Sequence, residues 1–385
     1  MAASLAARTL ARPSFENAFG ARAFVRAMLD FEAALAQAQA AEGLVPEAHA
    51  RAIVEGCATV AIDEEALVHE ARRNASLAVP LVRMLREHVA RASKAAAGDV
   101  HRGATSQDVL DTATALCLRP CLEEADRALD AAVRSLARRA REHRATPMLA
   151  RTLLQPAMAM PAGLKIARWA AALAADRERL AESQAAALAL QLGGPVGSLE
   201  GMGGKGPAVR HRMALALGLA DVPEWQSHRS GWIDLLDRVG LAVLTCGKIA
   251  RDVALLAQAE VGEMLEAPPR EGVGGSSAMP HKRNPVACAR ALAAAVAMPG
   301  LLATVHAAAL GEHERALGGW QAELAVVPEI AAALGAALDF ADTIAVSLVV
   351  DPARMRENLA RLAEAPAVDP RAVDEVLAGL ARHLA

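Results

Sequence analysis

The chain has 385 residues, enough to bury a large core without help from disulfides or metals. Its 41 basic and 44 acidic residues nearly cancel, so no overall field draws it to nucleic acid or to an anionic membrane. Aromatic residues make up 2% and tyrosine is absent, which removes the stacking platforms that single-strand nucleic-acid binders use.

From the N-terminus, the sequence lacks the apolar stretch of a secretory signal. Residues 1–98 read as an N-terminal domain of short helices, 99–349 as a central long-helix domain, and 350–385 as a short C-terminal helical tail starting at Val350-Asp351-Pro352. Alanine and leucine dominate, apolar residues recur at spacings of three and four, and strand-type alternation is missing, so the expected fold is all-α. Leu118, Leu122, Ala125, Leu129, Val133 and Leu136 form one helical stripe. Leu235, Val239, Cys246, Ile249, Val253 and Leu256 form another, and both suit long helices packed side by side. Cys117 and Cys121 share a helix face, and without histidines or a second cysteine pair at zinc spacing they read as core. Five scattered cysteines are unlike a secreted disulfide framework and point to a reducing cytoplasm. The uncharged run from Ala291 to Gly311 raises a membrane question by its length. Its alanine content, the Pro299-Gly300 break and His306 suit an interior bundle helix instead.

Three stretches interrupt the helical pattern. In Gly98 to Asp108, Thr105 followed by Asp108 has the form of a capping box, and on this stretch alone a plain helix cap is the favoured reading. The same geometry, with hydroxyls such as Ser106 and with His101 and Arg102 just upstream as added donors, also suits an anion at a helix start. Gln191 to Pro207 holds seven glycines among seventeen residues. Pro268 to Pro285 ends in Asn284-Pro285, an expected helix start with asparagine capping and proline at the first helical position. Before that start come glycine, serine and cations, a composition suited to a lid that closes Ser276 or Ser277, Lys282 and Asn284 onto an anionic ligand. The spacing is not that of a phosphate-binding loop, and no nucleophile elbow, dinucleotide fingerprint or metal motif is present, so neither a cofactor nor a metal is signalled. A last cluster, Glu312 to Glu323, mixes charges with Gly318-Gly319-Trp320. It reads as a pocket wall in which Arg315 can fork onto a carboxylate.

These residues carry a family resemblance. Gly275 to Pro285 resembles the signature GSSxMPxKxNP of the fumarase/aspartase superfamily, His101 to Asp108 its first segment, and Arg151 to Ala157 its second. The similarity runs from about Leu29 to about residue 355, nearest the cycloisomerase branch. It implies an elongated long-helix bundle that forms a homotetramer, each active site drawing its segments from three subunits. It implies proton transfer next to a carboxylate through an enolate-like dianion, with Ser276 and Lys282 catalytic. His101, Arg102, Thr105, Ser106, Gln155, Ser277, Met279, His281, Asn284, Arg315 and Trp320 would contact a small tricarboxylate. The branch's reaction, lactonisation of 3-carboxy-cis,cis-muconate in the protocatechuate route of aromatic degradation, is the expected activity. An elimination lyase releasing fumarate from a succinyl adduct is the alternative, and a non-catalytic structural relative is the competitor from another class. Leu153 stands where many superfamily lyases have a histidine that protonates a poor leaving group. A carboxylate leaves unaided because its pKa is low, so the missing histidine favours cycloisomerisation. The tail after Asp351 is shorter than the family's usual third domain.

Overall fold

The computed structural model describes residues 8–267, 273–276, 278–279, 282–362 and 367–384. The expected site residues Ser277 and His281 lie outside the described residues. The first hundred residues form α1 (Pro13–Ala18), α2 (Ala21–Ala41), α3 (Glu47–Thr59), α4 (Glu64–Asn74), α5 (Ala78–Ala92) and α6 (Lys94–Ala97). Of these α2 is longer than the short helices expected, and it packs against α3 and against the central bundle.

Five long helices follow: α7 (Ser106–Glu142), α8 (Ala162–Ala187), α10 (Ser230–Leu256), α11 (Val286–Ala308) and α12 (Gly319–Ser347), with the shorter α9 (Gly206–Leu217) between α8 and α10. Each packs on the next, α7 on α8, α8 on α10, α10 on α11, α11 on α12 and α12 back on α7, so the bundle closes on itself. At a rise of 1.5 Å per residue, the 37 residues of α7 span about 55 Å. Both stripes expected from the sequence face the core, every one of their residues being buried, as are Cys117 and Cys121. The chain ends with α13 (Pro352–Leu359), α14 (Arg371–Gly379) and α15 (Ala381–Leu384). Asp351 starts α13 by accepting from the backbone N–H groups of Ala353 and Arg354 at 2.9 and 3.0 Å.

The structure corrects three local expectations. Strands are present: β1 (Pro147–Thr152) pairs antiparallel with β2 (Gln155–Pro161), and β3 (Met264–Glu266) with β4 (Leu348–Val350). The first hairpin escaped notice because its outer face is solvent-exposed and its turn, Leu153-Leu154, lacks the usual glycine or asparagine. Pro299-Gly300 does not break α11, which runs through both residues. Asn284 does not cap α11 either: Pro285 occupies the cap position, and the Glu266 carboxylate accepts from the N–H groups of Ala287 and Cys288 at 2.9 and 2.8 Å. Both α11 and α12 are apolar and long enough to cross a membrane by length and composition alone. In α12 61% of the most apolar stretch is buried inside the chain, as in a core helix, whereas in α11 only 22% is, so one apolar face of α11 stays open.

Candidate active site

The Thr105–Asp108 pattern positions the first candidate segment. The Thr105 N–H donates to Asp108 Oδ2 at 3.0 Å, the Asp108 half of a capping box, and Ser106 begins α7. Asp108 does more than cap. Its buried carboxylate also accepts from the N–H groups of Gly193 and Gly194, each at 3.0 Å, and from Gln191 Nε2 at 3.3 Å. Burial pushes the Asp108 carboxyl up to about 6, while these donors pull the other way by stabilising the anion. The glycine-rich segment is thus tied to the start of α7. A side chain at Gly194 would place its Cβ 2.9 Å from the Gly103 carbonyl, and the residue's φ of +69° also requires glycine.

A buried ionic network continues from there. The Arg229 guanidinium lies between Asp111 and Glu323, its Nη1 2.8 Å from Asp111 Oδ2 and its Nη2 2.5 Å from Glu323 Oε2, with all three side chains almost fully enclosed. It also stacks 4.7 Å from the Trp225 ring centroid. Burial pushes the Glu323 carboxyl up, and the Arg229 charge and hydrogen bonds hold that rise back. Gln107 Nε2 donates to Asp111 Oδ2 at 3.0 Å, and Gln107 Oε1 accepts from Arg315 Nη1 at 2.5 Å. Arg315 Nη2 reaches the carbonyls of Gly194 and Pro195 at 2.9 and 3.2 Å and Gln226 Oε1 at 3.2 Å. Arg315 therefore fastens the glycine-rich loop through Nη2 and the start of α7 through Nη1. Gly318, at φ +96°, precedes α12, and Trp320 is buried against the core.

His101 and Arg102 occupy the turn before Gly103. His101 Nδ1 lies 2.6 Å from Glu32 Oε1, and Arg102 Nη1 donates to the Leu44 carbonyl at 2.8 Å. Thr105 and Ser106 keep partial exposure beside them.

The other two segments are the first hairpin and the signature loop. Thr152 pairs with Gln155 across the first hairpin, which turns through Leu153 and Leu154 at φ +51° and +63°. These leucines are 96% and 76% exposed, and Gln155 is exposed beside them. Below the tip, Arg151 forms a two-pronged ion pair with the enclosed Glu263, at 2.8 and 2.9 Å, which holds the hairpin to the body. In the signature loop, Ser276 Oγ accepts from the N–H groups of Ala278 and Met279 at 3.4 and 3.2 Å. The Asn284 N–H donates to the Gly274 carbonyl at 2.7 Å, with Gly274 at φ +77°, so the loop is cinched at its base. Lys282 and Met279 are exposed and Asn284 is half-buried. Among the described residues no hydrogen bond or ion pair joins Ser276, Lys282 or Asn284 to the hairpin tip, or either of them to Thr105 and Ser106.

Within one chain His101, Arg102, Thr105 and Ser106 lead into the start of α7, and Arg315 is hydrogen-bonded to Gln107 in its first turn; among the described residues no hydrogen bond ties Gln155 or the Ser276 loop to them. Sequence reasoning missed Glu32, Asp108 as an anchor for the glycine loop, Arg229, and Glu266 as the cap of α11. A charged residue on the helix face formed by Met28, Leu29, Leu35 and Ala36 was the available signal for Glu32.

A family model described as lyase matches residues 7–300. The 3-carboxy-cis,cis-muconate cycloisomerase of Bradyrhizobium diazoefficiens is 46% identical over 357 residues, covering 92% of this chain and 79% of that enzyme. Nitrosuccinate lyase of Streptomyces davaonensis is 41% identical over 356 residues, covering 89% of this chain and 74% of the relative. The crystal structure of the 3-carboxy-cis,cis-muconate lactonizing enzyme from Pseudomonas putida has a TM-score of 0.86 at 35% identity, covering 100% of this chain and 89% of that one.

Proposed function

The chain belongs to the lyase family of fumarase/aspartase enzymes, and from that premise we propose that it converts 3-carboxy-cis,cis-muconate to 4-carboxymuconolactone, a carboxylate adding within the same molecule. The observation that carries this reading is Leu153, which gives the hairpin tip no proton to offer. A carboxylate needs none, whether it adds or leaves. The likeness to cycloisomerases in both sequence and fold supports the same choice. The second reading, elimination of nitrite from a nitrosuccinate-like substrate, is also compatible with Leu153, and the likeness to nitrosuccinate lyase keeps it open to test.

In the proposed reaction Ser276 moves the proton next to a substrate carboxylate. Serine is a poor base at neutral pH unless its alkoxide is stabilised, and the two N–H groups aimed at Ser276 Oγ supply part of that stabilisation. Lys282 and Asn284 hold the carboxylate and the developing dianion, with Ser277, Met279 and His281 of the same loop around it. His101, Arg102, Thr105, Ser106, Gln155, Arg315 and Trp320 complete the contacts. Among the described residues no hydrogen bond or ion pair joins the three segments, and α11 leaves an apolar face open, which supports a homotetramer whose sites each combine residues of three subunits. All five cysteines are free and buried, in keeping with a cytoplasmic enzyme.

An ultraviolet assay tests the reading. Loss of the muconate absorbance with no fumarate or nitrite released is expected, and release of either overturns it. Ser276→Ala is expected to abolish turnover while leaving the oligomer intact; undiminished turnover would refute the role given to Ser276.

A further inference from the structure

The turn that carries His101 is held far more firmly than its exposure requires. His101 has a φ of +61°, an uncommon conformation for a side-chain-bearing residue and one that persists where surrounding contacts over-determine it. Those contacts come from the N-terminal helices. His49 of α3 bonds Asp99 Oδ2 at 2.7 Å, Arg86 of α5 donates to the Val100 carbonyl at 2.9 Å, and Gln39 of α2 donates to the Arg102 carbonyl at 2.7 Å. Glu32 of α2 binds the His101 ring itself.

The Glu32 side chain is wholly enclosed, and its second oxygen, Oε2, has no hydrogen-bond partner. A dry carboxylate in that position needs a counter-charge. The ring it touches is the one group hydrogen-bonded to it among the described residues, which favours the imidazolium form of His101. The other charged groups facing the turn are Arg86 from α5, Asp108 from α7, and Asp99 and Arg102 from the turn, with Lys205 of the glycine-rich loop bound to the Glu42 carbonyl nearby. Burial alone would push the His101 ring down, but the charge and hydrogen bond of Glu32, helped by Asp108, leave it above the usual histidine value. With Nδ1 taken by Glu32, no described residue hydrogen-bonds Nε2, while the side chain stays 14% exposed.

We propose that Glu32 is a positioning residue that touches no substrate: it clamps His101 as an imidazolium, so that the opposite Nε2–H stands as a fixed, charged donor for one carboxylate of a polyanionic substrate. This rests on the tricarboxylate site proposed above, and it adds a residue on α2 to that site.

Calorimetric titration of the assembled protein with tricarballylate, an unreactive tricarboxylate, between pH 6.5 and 9 tests it. Wild-type binding should weaken as pH rises through the titration of His101. Glu32→Gln should weaken binding at pH 7.5 by about ten- to a hundred-fold, the worth of one hydrogen bond to a charged group, and move the loss of binding to lower pH. His101→Asn should weaken binding similarly and remove the pH step. Adding Glu32→Gln to His101→Asn should change nothing further, an outcome that a merely structural role for Glu32 would not give. Unchanged affinity and pH dependence in Glu32→Gln, a further loss in the double variant, or no binding of tricarballylate by the wild type each overturns the proposal. If Glu32→Gln does not assemble, Glu32→Asp decides, because it keeps the charge and shortens the reach: a retained pH step with weaker binding supports the proposal, and unchanged binding overturns it. A wild type that binds tricarballylate with the pH step yet leaves 3-carboxy-cis,cis-muconate unconverted removes the proposed reaction and leaves the role of Glu32 standing.

Discussion

Replacing Arg229 with methionine removes the cation between Asp111 and Glu323 while keeping much of its volume. The guanidinium makes five hydrogen bonds to the two carboxylates, at 2.8, 3.0 and 2.5 Å to Glu323 and 2.8 and 3.2 Å to Asp111. After substitution two enclosed carboxylates face each other without it. Removing one partner of a buried ion pair typically costs about 3–5 kcal/mol, a large share of the roughly 5–15 kcal/mol that holds a folded domain together. The loss should depend on pH in a defined sense. Burial already pushes the Glu323 carboxyl up, and without Arg229 nothing of that size restrains it. An acid whose folded pKa lies above its unfolded value of about 4.3 contributes stability in full below that value and loses it as pH rises through the folded pKa. The variant's deficit should therefore be small near pH 5 and full at pH 7.5. Urea unfolding followed by circular dichroism, at one protomer concentration and at both pH values, measures it. A deficit below about 1 kcal/mol at pH 7.5, or one independent of pH, would show that the network does not carry the stability assigned to it. Gln107 relays Asp111 to Arg315 and so to the Gly194 loop, so kcat/KM should fall in the same variant.

Leu153→Asp should leave protomer stability within about 0.5 kcal/mol, since the side chain is almost wholly exposed, yet lower kcat/KM more than about tenfold; unchanged turnover would remove the tip from the site. Glu266→Ala deletes the acceptor at the start of α11, and a stability loss of about 1 kcal/mol with a raised KM is expected from calorimetry and kinetics. No change in either would mean that the loop base is held without it. Burial pushes the Cys57, Cys117, Cys121 and Cys246 thiols up to about 12, and Cys288 higher still. A thiol reagent at pH 8 should therefore label the native protein slowly and all five cysteines in denaturant, and one rapidly labelled native cysteine contradicts the burial assigned here.

What was legible in the sequence followed from local rules. Helical periodicity located α7 and α10 and the residues they bury, and the Thr105–Asp108 pattern placed the start of α7, because spacing along one helix fixes which side chains share a face. The signature loop gave up its residue types but not its cap: Glu266 lies 21 residues from Ala287, on a strand whose partner is a further sixty and more residues on. Arg229 joins residues 118 and 94 positions away, a pairing no local pattern encodes. Pro299 misled because a proline inside a helix removes one bond without ending the run when the flanking alanines and leucines favour helix. The Leu153-Leu154 turn was hidden because its backbone conformation contradicts the preference of leucine.

The open apolar face of α11 has a kinetic consequence. If the proposed homotetramer covers this face, of which only 22% is buried within one chain, assembly is governed by mass action and the operational lifetime depends on how often protomers meet. Activity should decay on dilution with a half-life that lengthens with protein concentration, and newly made chains should be most prone to aggregate in the interval before they find their partners.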